Sequence, residues 1–285
     1  MEMTQEPGTA HGAVVVGVDG SEESLVALDW AVETAMLEGR HLHVVHALAR
    51  HGNHQGAAIV DTARRRAGVL APAIRVTAEF VEGTGTAALV AVSRSAAIVC
   101  VGAHGETGFR PRFLGSTALS VASAALCPVA VIREPLMGGE RARRIVVGVD
   151  EAAGSHDAIG YAFAQADLRG VPLTAVHAWH SSDRLGLSGA VTPADRWQTL
   201  IGNEEAAMAE CLAGWSEKYP DVEVSRVSIR RSSHGAILAT AGDAVLIVLG
   251  SRQPRPQPDL VGSPTIRRVL QDAVCPVVVV PQTTH

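Results

Sequence analysis

The sequence contains almost no lysine. Of its 24 basic residues, Lys218 is the only lysine and all the others are arginines. A P-loop requires a Gly-Lys-Ser or Gly-Lys-Thr triplet, because its lysine reaches the terminal phosphates of the nucleotide. No such triplet occurs in this chain, so that class of nucleotide site is excluded. Any phosphate-binding site must therefore rest on backbone N–H groups and arginine side chains.

The chain also lacks an excess of positive charge and long apolar runs. Its formal net charge is −5, whereas nucleic-acid binding through phosphate charge requires a basic face. No apolar run approaches the ~18 residues that a membrane-spanning helix needs. The first twelve residues are polar and acidic, without the cationic stretch of a signal peptide. We expect no nucleic-acid partner, no membrane partner and a cytoplasmic location.

Cysteine is scarce, and neither cysteine nor histidine is spaced for a metal site. Cys127 and Cys275 each precede a proline at the entry of an apolar run, which makes them equivalent structural positions. We interpret the cysteines as small buried hydrophobic side chains in a reducing compartment. On a strand, His41 and His43 share one face while His46 points away, so these imidazoles do not converge. We therefore predict no metal site.

What the chain does contain is a long internal repeat. Residues 14–19, VVVGVD, return as residues 145–150, IVVGVD, and a Cys-Pro-apolar strand ends both repeats. A period of about 140 residues indicates a duplicated domain rather than a solenoid unit. We place copy one at residues 1–136 and copy two at residues 143–285, joined by a Gly- and Arg-rich linker.

Within each copy, apolar β-branched runs alternate with amphipathic stretches. In copy one the run 13–18 is followed by Leu25, Leu28 and Val32 at helical spacing. This alternation predicts right-handed crossovers and a parallel sheet that helices cover on both faces. We therefore predict an α/β fold of two tandem Rossmann-like domains, each with a five-stranded parallel sheet of order 3-2-1-4-5.

A glycine-rich segment follows the predicted fourth strand of copy one. It has the spacing G-x2-G-x9-G-S, formed by Gly102, Gly105, Gly115 and Ser116. In an open α/β sheet, ligands bind outside the carboxyl ends of the strands where the winding reverses, and Asp19 ends strand one there. Glycines permit a left-handed backbone and the close approach of an anion, and the next helix presents unpaired N–H groups. Five nearby side chains add donors or positive charge: His104, Arg110, Arg112, Ser116 and Thr117.

The combination of this loop, a strand-one aspartate and a duplicated α/β domain resembles the tandem universal stress protein family. The resemblance covers roughly residues 12–133 and 143–281. Family members with this loop bind ATP, which implies that Asp19 contacts the base and ribose side and that Val45 contacts adenine. It also implies a phosphate loop made of Gly102, His104, Gly105, Gly115, Ser116 and Thr117. The implied cofactor is ATP, with or without Mg²⁺, and the implied partner is a protein that the sequence does not identify.

Copy two departs from this pattern. When Gly250 and the pair Gly262-Ser263 are matched to the glycines of copy one, its loop is one residue shorter. Three prolines within residues 254–258 remove backbone donors, and Glu151 adds negative charge at the mouth of the site. We expect copy two to be impaired or non-binding; a weaker, differently posed nucleotide is the alternative.

Three functions remain open at this point. The leading hypothesis is an ATP-binding stress-response regulator without enzymatic activity, because no Ser-His-Asp order or paired-carboxylate site lies near the loop. The second is a nucleotide-free interaction scaffold, in which both loops are relics. The third is a slow adenine-nucleotide hydrolase.

The sequence also predicts how the copies assemble. The last strand of each copy, 129–132 and 277–280, is apolar and would lie at a sheet edge, so the two edges are expected to pair within one chain. We further expect a homodimer in which the insertion at residues 181–199, of which 181–193 is loop-like, or the outer helices contribute the contact. An amphipathic helix is predicted over residues 204–217.

Overall fold

The chain folds into alternating strands and helices in a computed structural model. The structure describes residues 10–48, 56–105, 114–133, 144–150, 155–179, 194–251 and 263–282. The strands of copy one are β1 (Val14–Gly17), β2 (Leu42–Leu48), β3 (Val76–Glu82), β4 (Ile98–Gly102) and β5 (Val129–Ile132). Its helices are α1 (Glu22–Leu37), α2 (Gly56–Leu70), α3 (Gly85–Val92) and α4 (Ser116–Ala124).

Copy two repeats the same order of elements. Its strands are β6 (Arg144–Val149), β7 (Leu173–Ala178), β8 (Val224–Ile229), β9 (Ala244–Ser251) and β10 (Val277–Pro281). Its helices are α5 (His156–Arg169), α6 (Ala194–Lys218), α7 (Ser233–Thr240) and α8 (Pro264–Asp272). Among the residues described, every helix is too short or too polar to cross a membrane.

The ten strands found among the described residues all belong to one sheet. Its order is β3-β2-β1-β4-β5-β10-β9-β6-β7-β8, so each copy has the predicted order 3-2-1-4-5. Neighbouring strands are parallel within each copy, and β5 and β10 pair antiparallel, with Ala130 opposite Val278. The predicted pairing of the two apolar edges within one chain is therefore confirmed. It turns two five-stranded sheets into a single sheet whose two halves run in opposite directions.

Helices cover both faces of this sheet in three layers. One apolar core lies between the sheet and helices α1, α2, α5 and α6, and the other lies beneath α3, α4, α7 and α8. Each core contains residues of both copies, so the hydrophobic interior continues across the β5–β10 junction. The predicted burial of the cysteines is confirmed for Cys100, Cys127 and Cys275, which are free thiols, whereas the free thiol of Cys211 is only partly buried. Burial raises the pKa of Cys127 and of Cys275 to about 12.

Helix α1 shows how local sequence sets the start and end of an element. The Ser21 side chain accepts a hydrogen bond from the Ser24 backbone N–H at 3.2 Å, which caps the amino-terminal end. Gly39 has φ +62, a left-handed conformation that other residues rarely adopt, and it lies just beyond the end of the helix. Asp19 lies two residues before this cap, and it is thereby held just beyond the carboxyl end of β1.

Helices α1 and α5 join the two copies on one face of the sheet. Arg169 Nη1 lies 2.6 Å from Glu33 Oε1, and its guanidinium carbon lies 5.6 Å from the centre of the Trp30 ring. The Gln165 side chain donates to Glu38 Oε1 at 2.8 Å. These contacts supplement the strand pairing, so the two copies are attached at more than one layer.

One predicted helix begins earlier in the chain than expected. The helix expected over residues 204–217 is α6, which starts ten residues earlier, at Ala194. The prediction was too short because Gly202 interrupts the apolar periodicity, while a glycine inside a helix costs only about 1 kcal/mol and is tolerated. Residues 181–193 of the predicted dimer-forming insertion lie outside the described residues, so the homodimer stays a prediction.

Candidate functional site

A cavity of about 330 Å³ opens at the carboxyl ends of β1, β2 and β4, where the winding of copy one reverses. Its walls contain seven of the predicted site residues: Asp19, Val45, Gly102, His104, Gly105, Ser116 and Thr117. The eighth, Gly115, lies next to them as the N-cap residue of α4. The structure therefore brings together every residue that the resemblance assigned to nucleotide binding.

Asp19 is fixed by its neighbours on two sides. Its Oδ1 accepts hydrogen bonds from the Ser21 backbone N–H at 3.0 Å and from the Ser21 hydroxyl at 2.6 Å. A Cβ atom added to Gly105 would lie 2.6 Å from Asp19 Oδ2, closer than any side chain allows. Position 105 therefore requires glycine because the carboxylate packs directly against its backbone.

The amino-terminal end of α4 forms one end of the cavity. Gly115 has φ −63 and ψ 145, and no side chain caps the helix there. Its backbone N–H donates to the Ala103 carbonyl at 2.8 Å, which closes the loop. The first-turn N–H groups of α4, together with the Ser116 and Thr117 hydroxyls, form an arrangement suited to an anion.

The loop glycines do not use the left-handed backbone that glycine permits. Gly102, Gly105 and Gly115 are absent from the glycines with positive φ in the described chain. Close packing explains two of them: a Cβ on Gly102 would lie 3.0 Å from the Glu23 backbone carbonyl, and Gly105 contacts Asp19 as described above. These glycines therefore allow atoms to approach closely, and the backbone needs no unusual torsion.

His104 lies at the edge of the cavity as a neutral side chain. Its Nε2 atom is buried and has no hydrogen-bond partner among the described residues. Burial lowers the pKa of His104, the charge of Arg133 lowers that pKa further, and Glu23 opposes both effects. An imidazole in this state can accept a proton when a negative ligand arrives.

Part of the cavity wall is apolar. Val45, Ala88, Leu89 and Val101 contribute to it, and such a surface suits the face of a flat heterocyclic base. His46 also lines the cavity, and its Nδ1 donates to the Val18 carbonyl at 2.7 Å. The cavity therefore brings together apolar side chains, a carboxylate and a helix end suited to an anion.

The predicted separation of the histidines on β2 is confirmed. His43 Nδ1 lies 2.8 Å from Thr77 Oγ1 on β3, whereas His46 bonds to β1 through Val18. In copy two, His177 makes the matching bond to the Val149 carbonyl at 3.0 Å, so the histidine pair has the shared structural role expected of it. The described residues contain no group of three or more His, Cys, Asp or Glu side chains that could hold a metal ion.

Several lining residues were missed by sequence reasoning. The cavity also includes these residues: Gly17, Val18, Ser24, His46, Ala47, Gly85, Ala88, Leu89, Val101 and Ala118. Most of them stand within a few residues of a predicted one and could have been found by reading the strand ends more widely. Gly85, Ala88 and Leu89 could not, because only the packing of α3 over β1 brings them to the cavity.

Copy two has a corresponding cavity of about 190 Å³ beside Asp150, Val176 and His177. Three positions carry larger side chains than their counterparts in copy one. Ser233 occupies the place of Gly85, Leu249 that of Val101, and Ile266 that of Ala118. These additional atoms account for the smaller volume.

The strand register corrects the sequence match between the two loops. Gly102 pairs with Ile132, and Gly250 pairs with Val280 at the same place in copy two. Gly115 follows Gly102 by thirteen residues and caps α4; Ser263 follows Gly250 by thirteen residues and caps α8. The loops are therefore equally long, and the expectation of a shorter loop in copy two is wrong.

This register also changes which residue replaces Ser116. Pro264 is the first residue of α8, in the position that Ser116 has in α4. Proline has neither a backbone N–H nor a hydroxyl, so copy two lacks two of the donors that copy one presents. Other features that entered the prediction lie outside the described residues, namely Arg110, Arg112, Glu151, Gly262 and residues 254–258.

Comparisons with known proteins agree with this architecture. The pattern of the Universal stress protein family matches residues 11–133 and again 141–281. The chain is 32% identical over 299 residues to a universal stress protein of Mycobacterium bovis, covering 98% of this chain and 99% of that protein. It is 30% identical over 270 residues to one of Mycobacterium tuberculosis, covering 86% and 88%. A crystal structure of a universal stress protein from Archaeoglobus fulgidus shares the fold, with a TM-score of 0.65, 19% identity and coverage of 94% and 98%.

Proposed function

The chain belongs to the universal stress protein family as a tandem repeat, and from this we propose that it is an ATP-binding regulatory protein whose nucleotide occupies the cavity of copy one. The observation that carries the proposal is the combination of groups that line that cavity. Apolar side chains, a fixed carboxylate and the uncapped end of α4 surround one space, and the base, ribose and phosphates of a nucleotide need these three environments.

Each part of the ligand then has a defined environment. Adenine packs against Val45 and Leu89, and the ribose hydroxyls donate to Asp19. The phosphates receive hydrogen bonds from the first turn of α4 and from the Ser116 and Thr117 hydroxyls. A Mg²⁺ ion that accompanies ATP would be held chiefly by phosphate oxygens, because Asp19 is the carboxylate among the described lining residues and faces the ribose.

In this proposal copy two contributes mainly to the fold of the protein, and its own nucleotide site is weakened. Its cavity is smaller, and Pro264 removes a donor where the phosphates would lie. The free buried cysteines suit a reducing compartment, which supports a cytoplasmic location. We propose that nucleotide occupancy changes the affinity for a protein partner, and that ATP turnover is not the function.

The proposal is tested by mass spectrometry of small molecules released from purified, denatured protein. We expect about one ATP or ADP per chain, and a thermal shift when ATP is added to nucleotide-free protein. The variant Asp19→Asn should lose both signals. The matched variant Asp150→Asn in copy two should keep them.

Two outcomes would replace the proposal by another function. The absence of nucleotide together with the absence of a thermal shift would favour the nucleotide-free scaffold. ATP turnover well above the protein-free rate, lost in Asp19→Asn, would favour the hydrolase.

A further inference from the structure

Arg133 stands beside the nucleotide loop, although the loop belongs to β4 and Arg133 follows β5. Gly102 pairs with Ile132 at the carboxyl ends of these parallel strands, and the Ala103 N–H donates to the Ile132 carbonyl at 2.8 Å. The next residues of the two strands are Ala103 and Arg133, so Arg133 lies beside the start of the loop, where His104 follows Ala103. The charge of Arg133 reaches the cavity, because it lowers the pKa of His104, which lines that cavity.

Copy two holds the Arg133 side chain in this place. Its Nη2 donates to the Leu270 carbonyl, in the last turn of α8, at 2.6 Å. The carboxyl-terminal end of a helix carries a partial negative charge, which stabilises a nearby cation. Asp272, the last residue of α8, adds a full negative charge, although burial still lowers the pKa of Arg133 overall.

This arrangement leaves Arg133 able to bind a second negative group. The guanidinium has about five N–H donors in a rigid fork, and one of them serves Leu270. It is more than half buried, where a charge is costly unless it is paired. The sole lysine is Lys218, so a permanent positive side-chain charge at the phosphates would have to come from an arginine.

We propose that Arg133 is a phosphate-binding residue of the copy-one nucleotide site and that α8 of copy two positions it there. This inference rests on the proposed function and adds a residue that the resemblance did not supply. It makes the site composite: the cavity lies in copy one, and the group that positions its phosphate-binding cation lies in copy two.

The same reasoning accounts for a difference between the two copies. Val280 pairs with Gly250 as Ile132 pairs with Gly102, so Pro281 stands in copy two where Arg133 stands in copy one. Copy two therefore has no cation at the corresponding place. Its cavity lacks the Ser116 donors and the arginine together.

The test uses the full chain and isothermal titration with ATP. The variant Arg133→Met keeps the apolar stem and removes the charge, and we expect ATP to bind at least about 10-fold more weakly. Arg268→Gln is the matched control, because it removes the same charge from an exposed position on α8. That control should bind ATP as the wild-type chain does.

A second variant changes an exposed residue and is expected to strengthen ATP binding, whereas Arg133→Met is expected to weaken it. Asp272→Asn removes the exposed carboxylate that competes with phosphate for Arg133, and ATP should bind about two-fold more tightly at low salt. Asp167→Asn, exposed on α5, should have no effect.

The outcomes separate the two proposals. If the wild-type chain binds no ATP, the proposed function fails and this inference fails with it. If the wild type binds ATP and Arg133→Met binds equally well, Arg133 is not a phosphate ligand. If Arg133→Met does not fold, unchanged or weaker binding by Asp272→Asn overturns the inference.

Discussion

The charged residues around the site affect the protonation of their neighbours, and His104 shows this effect most clearly. Its Nε2 atom is buried without a partner in the described chain, and the positive charge of Arg133 and the negative charge of Glu23 both act on the imidazole. Burial and Arg133 keep the pKa of His104 below its ordinary value of 6.5 in the free protein. A bound triphosphate would favour the protonated imidazole and raise that pKa.

The residue-scale prediction follows from the sign of this shift. Because the bound state takes up a proton more readily than the free state, ATP affinity should increase as the pH falls from about 8 to about 6. This increase in ATP affinity should be about three-fold larger in the wild type than in His104→Asn. ATP itself also titrates in this pH range, and comparing the two proteins cancels that contribution. Titration calorimetry at several pH values measures it. Parallel pH profiles for the two proteins would rule out a role for His104.

Which site residues could be predicted depended on how they reach the cavity. Asp19 and Ser116 follow directly from strand ends and loop spacing, which a sequence displays. Arg133 and Leu89 could not be found in this way, because one follows a neighbouring strand and the other lies on a helix that folds over β1. Local patterns identify residues that a motif contains, and only tertiary packing identifies those that other elements contribute.

At the scale of elements, the first residue of one helix distinguishes the two sites. Helix α4 begins with Ser116 and α8 begins with Pro264, and both helices have nine residues. The matching of Gly262-Ser263 to Gly115-Ser116 was wrong by one residue because an identical dipeptide occurs in both loops. Strand pairing fixes the correct register, and counting back from the Cys-Pro pair that ends each copy gives the same match.

The element-scale prediction transfers the copy-two residue into copy one. Ser116→Pro removes one N–H and one hydroxyl from the phosphate end, so ATP should bind about 10-fold or more weakly. Proline suits the first position of a helix, so the melting temperature without ATP should change by only about 2 °C. Calorimetry and thermal unfolding give the two values.

The matched change in copy two is Pro264→Ser. It should leave ATP binding unaltered, because Ser233, Leu249 and Ile266 still reduce that cavity. Normal binding by Ser116→Pro would show that the end of α4 does not hold the phosphates.

For the whole molecule, the decisive feature is the sheet that both copies share. Val129, Val131, Val277 and Val279 are at most 2% exposed, because β5 and β10 cover each other and the helices cover both. The sequence predicted this pairing from two apolar edge strands. It could not predict the contact between Arg133 and α8, which exists only because the halves run in opposite directions.

The prediction at this scale concerns copy one alone. A fragment of residues 1–136 exposes the apolar edge of β5, so it should dimerise or aggregate. Light scattering at several concentrations measures this, with the full chain as the control. A fragment that stays monomeric and in solution at every concentration would show that the edge needs no cover.

The central claim is that one nucleotide site exists in a chain with two similar halves. Isothermal titration of nucleotide-free, full-length protein with ATP tests it most directly, because the stoichiometry counts the sites. The account predicts one ATP per chain, lost in Asp19→Asn and retained in Asp150→Asn. Two equivalent sites per chain, or no binding at all, would contradict it.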